Sequence, residues 1–274
     1  MPESSPAATV NTEPVLVELS PDLSCWTTPE RFDLCSEIEF IHDEIFTQRC
    51  YLPSGLELPA EPVVLDIGAN VGLFSIFMTR ERPKAKIWAF EPMPDTLSAL
   101  RRNIETHQLD GVTLQTVALG SENEDGVRFT FYPRFPGNST RYPGDKAVGA
   151  ELPIEQIGKE AYEYAMEARS VEVNVRRLSD VLASAGPQGP IDLVKIDVEG
   201  AELDVLGGID KKDWARIDRF AIEVQDLHGR LAAILDALDA HGFDTVVEQH
   251  DGLVDTFHYF FLQAHRRDSA SALG

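Results

Sequence analysis

A chain of 274 residues with 43% hydrophobic and 26% charged residues can bury the core of one large α/β domain with additions, and is too long for a disulfide-stapled mini-domain. Its 24 Lys and Arg stand against 46 Asp and Glu, a net charge of −22, so a phosphate backbone or an anionic membrane would be repelled and neither is expected as a partner. The three cysteines, Cys25, Cys35 and Cys50, form no CxxC pair, which speaks against a disulfide framework or a zinc site and for a reducing compartment.

Residues 1–20 are Pro- and Ser-rich with little hydrophobicity and read as a disordered tail. They hold no basic stretch followed by an apolar one, and no run in the chain approaches the roughly 20 apolar residues of a membrane span, so a cytoplasmic location is expected. Phe32, Cys35, Ile38, Ile41 and Ile45 then recur at helical spacing, and residues 21–60 read as an N-terminal helical extension.

The main domain is predicted over 61–265. Strands at 63–68, 86–91 and 112–119 alternate with helices at 71–80 and 95–107, Asp95 serving as an N-cap of the second. This is βαβαβ, the grammar of a parallel sheet with helices on its faces. A strand at 127–132 precedes a Pro-, Gly- and aromatic-rich segment, a helical stretch at 154–168 and a strand at 171–175. The whole of 133–170 reads as a lid-like insertion. Buried strands at 191–197 and 220–224 follow, then an amphipathic helix at 227–241 ended by Gly242. Segments 243–248 and 257–262 pair as a terminal hairpin around Asp251 and Gly252, and 266–274 form a tail.

Four places carry chemistry. Asp66, Gly68, Asn70 and Gly72 stand between the first strand and its helix, where glycine permits a sharp turn and close approach of a ligand. The loop lacks the third glycine of a pyrophosphate fingerprint, which argues against a nicotinamide oxidoreductase, and its acidic lining suits a sulfonium. Glu91 ends the next strand about twenty residues on, where a carboxylate accepts both hydroxyls of a ribose, a feature shared by NAD and S-adenosylmethionine proteins. Asp197 and Glu199 leave the strand at 191–197, able to meet an ammonium, an acceptor hydroxyl or a metal, though two carboxylates are too few to assign a metal site. Glu223 ends the strand at 220–224 at the same sheet edge, and His228 beyond it is either a base for a hydroxyl or a surface histidine.

Together these residues resemble the FkbM family of S-adenosylmethionine-dependent methyltransferases, over about 44–261 of the chain. The resemblance rests on Glu44-Ile45-Phe46, Tyr51-Leu52, the loop from Asp66 to Gly72, Ala89-Phe90-Glu91-Pro92, Asn103, the Phe129–Pro133 strand with Ser139 after it, Lys195-Ile196-Asp197-Val198-Glu199-Gly200-Ala201-Glu202, and the segment from Glu223 to Arg230. It implies a Rossmann-like class I methyltransferase fold, a mostly parallel seven-stranded sheet with a terminal antiparallel hairpin. It also implies O-methylation of a polyketide, peptide, sugar or glycolipid hydroxyl in a tailoring step, with N-methylation, a non-catalytic S-adenosylmethionine-binding role and a metal-dependent variant as alternatives.

On this reading Tyr51, Asp66, Gly68, Asn70, Gly72, Glu91, Pro92 and Asp197 hold the cofactor, with Val117 and Ala118 beside its adenine. Glu199, Glu223 or His228 assists proton removal, and Glu44, Tyr132, Phe135, Ser139 and Tyr142 face the acceptor. Two positions depart from the family pattern: Gln225 stands where histidine is expected, and Thr140 where glycine is usual. The partner expected is a small-molecule acceptor. A carrier protein is disfavoured, since a chain this acidic would need a local basic patch, for which Arg101-Arg102 and Arg176-Arg177 are the candidates, and an apolar N-terminal helix leaves a homodimer open.

Overall fold

The computed structural model describes residues 13–29, 32, 36–53, 55–148, 150–249 and 258–267. The expected tails at 1–12 and 268–274, Cys35 and the turn at Asp251–Gly252 lie outside the described residues.

In chain order, β1 (Val15–Ser20) and β2 (Leu23–Thr27) form an antiparallel hairpin. Helix α1 (Glu37–His42) continues into a π-helical stretch, Asp43–Gln48. The domain proper begins with β3 (Val63–Ile67), α2 (Leu73–Glu81), β4 (Lys86–Phe90), α3 (Pro94–Thr106) and β5 (Val112–Gln115). Next come β6 (Ala118–Leu119), β7 (Glu124–Phe131), 3-10 turns at Pro136–Asn138 and Asp145–Ala147, α4 (Glu151–Ile157), α5 (Lys159–Ala165) and β8 (Arg169–Arg176). The chain closes with α6 (Leu178–Ala185), β9 (Leu193–Ile196), α7 (Glu202–Gly207), α8 (Lys211–Trp214), β10 (Arg219–Gln225), α9 (Arg230–Ala240), β11 (Phe243–Gln249) and β12 (Tyr259–Arg266).

Seven strands make the main sheet in the order β11-β12-β10-β9-β3-β4-β5. Strand β12 runs antiparallel to both neighbours and the other pairs are parallel. This is the expected Rossmann-like class I methyltransferase topology with its terminal hairpin. The chain starts at central β3, builds outward to β5, then crosses back to β9. The β3–β9 junction is therefore a switch point, where open α/β sheets bind their ligands.

Alternate residues of the central strands face opposite layers. Leu65, Val194 and Ile222 point to α6, α7 and α9. Val64, Leu193 and Ala221 point to α2 and to the N-terminal extension. Helix α2 is buried from Leu73 through Met78 because the sheet covers one side and the extension the other. An all-round apolar helix is what such a middle layer requires.

Several expectations need correction. Residues 15–20 are a strand rather than tail, and 21–60 open with a second strand. Val17, Leu23 and Cys25 are buried, and the period-two alternation in which they lie is too short to outweigh the neighbouring Pro and Ser in a sequence reading. The strand expected at 112–119 splits, since β5 pairs in the main sheet while β6 joins β7 and β8 in a second one. The expected lid is thus bracketed by a three-stranded sheet, and its helical stretch is broken at Gly158, whose φ is 86°. Asp95 sits inside the first turn of α3 behind Pro94 and pairs with Arg169 at 3.2 Å. Strand β12 extends through Arg266, so no tail starts there.

Asn103 fastens the extension to the domain. Its Oδ1 accepts the Trp26 N–H at 2.8 Å, and its Nδ2 donates to the carbonyls of Trp26 and Val71, each at 2.8 Å. Truncation would strand buried backbone groups at about 1–3 kcal/mol each. Asn103→Ala is expected to lower urea unfolding stability by about 2–4 kcal/mol, while Arg101→Ala on the exposed face of the same helix stays within about 0.5 kcal/mol.

Candidate active site

A cavity of about 490 Å³ opens at the C-terminal ends of β3, β4, β9 and β10. Six carboxylates line it, Glu37, Glu44, Glu91, Asp197, Glu199 and Glu223, against a single ammonium, Lys195.

The loop after β3 forms one wall. Gly68 has φ 79° and lies so close to the loop after β9 that a Cβ would fall 1.7 Å from the Asp197 carbonyl oxygen. Asn70 has φ 49°, a left-handed conformation that asparagine tolerates. Gly72 precedes α2 with φ 94°, and a Cβ there would meet Leu100 at 2.5 Å. Gly68 and Asn70 line the cavity, whereas Gly72 serves helix packing. Asp66 does not reach the cavity either: it is fully buried, accepts the Ser75 hydroxyl at 2.7 Å, and its Oδ1 lies 3.5 Å from Lys195 Nζ.

Lys195 links the two loops. Its ammonium donates to the Gly68 carbonyl at 2.7 Å and lies 3.3 Å from Asp197. Burial works against this charge, yet Asp197 and Asp66 outweigh it and raise the pKa above the ordinary lysine value.

Glu91 follows β4 and accepts the N–H of Asn70 at 2.9 Å and of Met93 at 2.8 Å. Burial pushes its carboxyl up to about 7, against those two backbone donors. Pro92, Val117 and Ala118 continue this side of the lining.

On the opposite side, the Tyr51 hydroxyl donates to Glu223 at 2.6 Å and lies 3.1 Å from Asp197. Burial, then Asp197, Glu44 and Glu199, hold the Glu223 carboxyl well above the usual carboxylate range, and Tyr51 stays protonated for similar reasons. Glu199 is raised by burial and pulled back by Lys146, with which it forms an ion pair. Burial also lifts Glu37 to about 8, although its Oε1 accepts the Gly137 N–H at 3.1 Å. Glu44 comes from the π-helical stretch, an irregularity common at functional sites.

Phe135 and Ser139 also line the cavity. Tyr132 is buried outside it. Tyr142 is turned outward, its hydroxyl donating to Asp204 at 2.5 Å. His228 is exposed in a left-handed turn with φ 59° ahead of α9, so it is not brought to the carboxylates. Gln225 is buried away from the cavity, so its replacement of histidine removes no base from this lining.

Sequence reasoning missed Glu37, Lys195 and Tyr259 as wall residues. Lys195 stood inside the quoted motif, and Glu37 precedes an apolar helical position. Nothing in the sequence marks Tyr259.

A family model described as the methyltransferase FkbM domain matches residues 66–245. Methyltransferase 1 of Beauveria bassiana is 37% identical over 255 residues, covering 91% of this chain and 97% of that protein. Methyltransferase sdnD of Sordaria araneosa is 39% identical, covering 85% of this chain and 91% of that protein. The 31-O-demethyl-FK506 methyltransferase FkbM of Streptomyces tacrolimicus is 39% identical, covering 78% of this chain and 84% of that protein. The fold is that of a class I methyltransferase, and the chain belongs to the FkbM methyltransferase family.

The raised Glu91 carboxyl has a stability consequence. Between the ordinary value of 4.5 and about 7 the folded state keeps a proton that the unfolded state releases, so stability falls as pH rises through that window. Glu91→Gln is expected to flatten the decline in urea unfolding free energy between about pH 5 and pH 8 by roughly 2 kcal/mol. An unchanged slope would show that Glu91 ionises as freely folded as unfolded.

Proposed function

We propose that the chain transfers the methyl group of S-adenosylmethionine to a hydroxyl of a small natural-product molecule. The observation that carries this reading is the cavity at the β3–β9 switch point, with six carboxylates and one ammonium on its wall. Asn70 Oδ1, on the same wall, is buried without a hydrogen-bond partner among the described residues. A wall so rich in acceptors fits a ligand with a sulfonium, an ammonium and ribose hydroxyls.

Gly68, Asn70, Glu91 and Pro92 would hold the nucleoside side of the cofactor, with Val117 and Ala118 at the base, and Asp197 would take the ammonium. When bound, the cofactor supplies a methyl group already activated by positive sulfur. The chain's task is then to align the acceptor and remove its proton. Glu223, its carboxyl held well above the usual carboxylate range by burial, accepts a hydrogen bond from Tyr51, which makes it a positioning group. Glu199, whose charge is sustained by Lys146, receives the proton that the acceptor hydroxyl loses. An oxygen acceptor is supported by the name of the Streptomyces relative, a 31-O-demethyl-FK506 methyltransferase.

The test is tritium transfer from labelled S-adenosylmethionine into a panel of hydroxyl-bearing small molecules. With a substrate in hand, Glu199→Gln is expected to lower kcat about 10²–10³-fold, while His228→Ala stays within about twofold. Wild-type rates in Glu199→Gln, or an inactive His228→Ala, would contradict the assignment of the base.

A further inference from the structure

The segment between β7 and α4 is tied to the cavity through one carboxylate. Lys146, in the turn Asp145–Ala147, pairs with Glu199, the two side chains being 7% and 16% exposed. The Tyr259 hydroxyl of β12 completes the contact, 3.3 Å from Lys146 Nζ and 3.4 Å from Glu199 Oε2. Thr140 Oγ1 donates to the Glu199 carbonyl at 2.7 Å and accepts the Tyr142 N–H at 2.8 Å. Asp145 is held in turn by Arg230 of α9 at 2.5 Å.

Two features show that this contact is built. Glu199 adopts φ 52° and Gly200 φ 103°, a backbone that a residue with a long side chain holds only when its surroundings fix it. Thr140, the departure from the family's usual glycine, is wholly buried, and the hydroxyl that glycine lacks makes the bond to Glu199.

We propose that Lys146 is a positioning residue, coupling the seating of segment 133–148 to the charge and aim of Glu199. The catalytic meaning rests on the methyl-transfer reading above; the contact itself does not. Glu199 faces Lys146 from the segment, Tyr259 from β12, Asp197 from its own loop, Glu37 from α1, Glu223 from β10 and Glu202 from α7. Without the ammonium, buried Glu199 is left among carboxylates and its carboxyl is pushed up further. A carboxyl that holds its proton cannot take one from a hydroxyl, so Lys146 favours the form that can act as base. Among the described residues Glu199 is the carboxylate that Lys146 pairs with, so an open segment loses that tie.

The test is hydrogen exchange by mass spectrometry on the full chain, without ligand and with S-adenosylhomocysteine, corrected for intrinsic rates. In the wild type, peptides from 133–148 should be well protected. Lys146→Met and Glu199→Gln should each raise exchange there about tenfold, whereas Lys146→Arg should restore the wild-type protection. Wild-type protection in Lys146→Met overturns the proposal. Should Lys146→Met fail to fold, Glu199→Gln reports on the same pair. Failure of the wild type to bind S-adenosylhomocysteine, with the exchange pattern intact, would count against the methyl-transfer reading and leave the pairing standing.

Discussion

The site depends on Lys195 being held between Asp66 and Asp197. The register of β3 against β9 places Asp66 beside Lys195, and the ammonium then spans from the buried strand acid to the cavity acid while donating to the Gly68 carbonyl. Asp66 and Lys195, each costly to bury alone, are thereby buried together, with Asp197 completing the pairing at the cavity wall. Removing one partner would leave an uncompensated charge under the floor of the cavity, a loss of about 3–5 kcal/mol for pairs of this kind. The same contact brings the two loops so close that only glycine fits at position 68.

The N-terminal extension is part of this arrangement. Tyr51 packs edge-on against Phe74 of α2 and Phe261 of β12, with ring centroids 5.7 and 5.5 Å apart, and its ring lies under the Lys195 ammonium at 5.2 Å. Its hydroxyl bridges Asp197 and Glu223. The extension thus closes the apolar layer over α2 and completes the polar side of the cavity with the same residue. Asn103 anchors its first strands, and Arg49 fixes its far end by two hydrogen bonds to Glu81 at 3.1 and 2.9 Å.

The central strands and the helices between them were legible because their apolar residues repeat with clear periods and end at Gly, Asp or Glu. Strand-end logic then found Glu91, Asp197 and Glu223, since parallel strands deliver their last residues to one edge. The same logic went astray at Asp66 and His228. Asp66 belongs to the right motif, but only the pairing of β3 with β9 shows that its neighbour is Lys195 rather than a ligand. His228 follows the right strand, but a left-handed turn carries it outward. The β1–β2 hairpin was hidden because it is stabilised by α3, about eighty residues away, and not by its own pattern. Glu37, Lys146 and Tyr259 face Glu199 from α1, the turn Asp145–Ala147 and β12, an arrangement that no local spacing encodes.

The central claim is that the switch-point cavity is shaped for a sulfonium nucleoside. Calorimetric titration of the purified chain with S-adenosylhomocysteine, with NAD as the control ligand, tests it most directly. The account predicts micromolar binding of the first and none of the second. Binding of NAD, or no binding of S-adenosylhomocysteine by the folded protein, would contradict it.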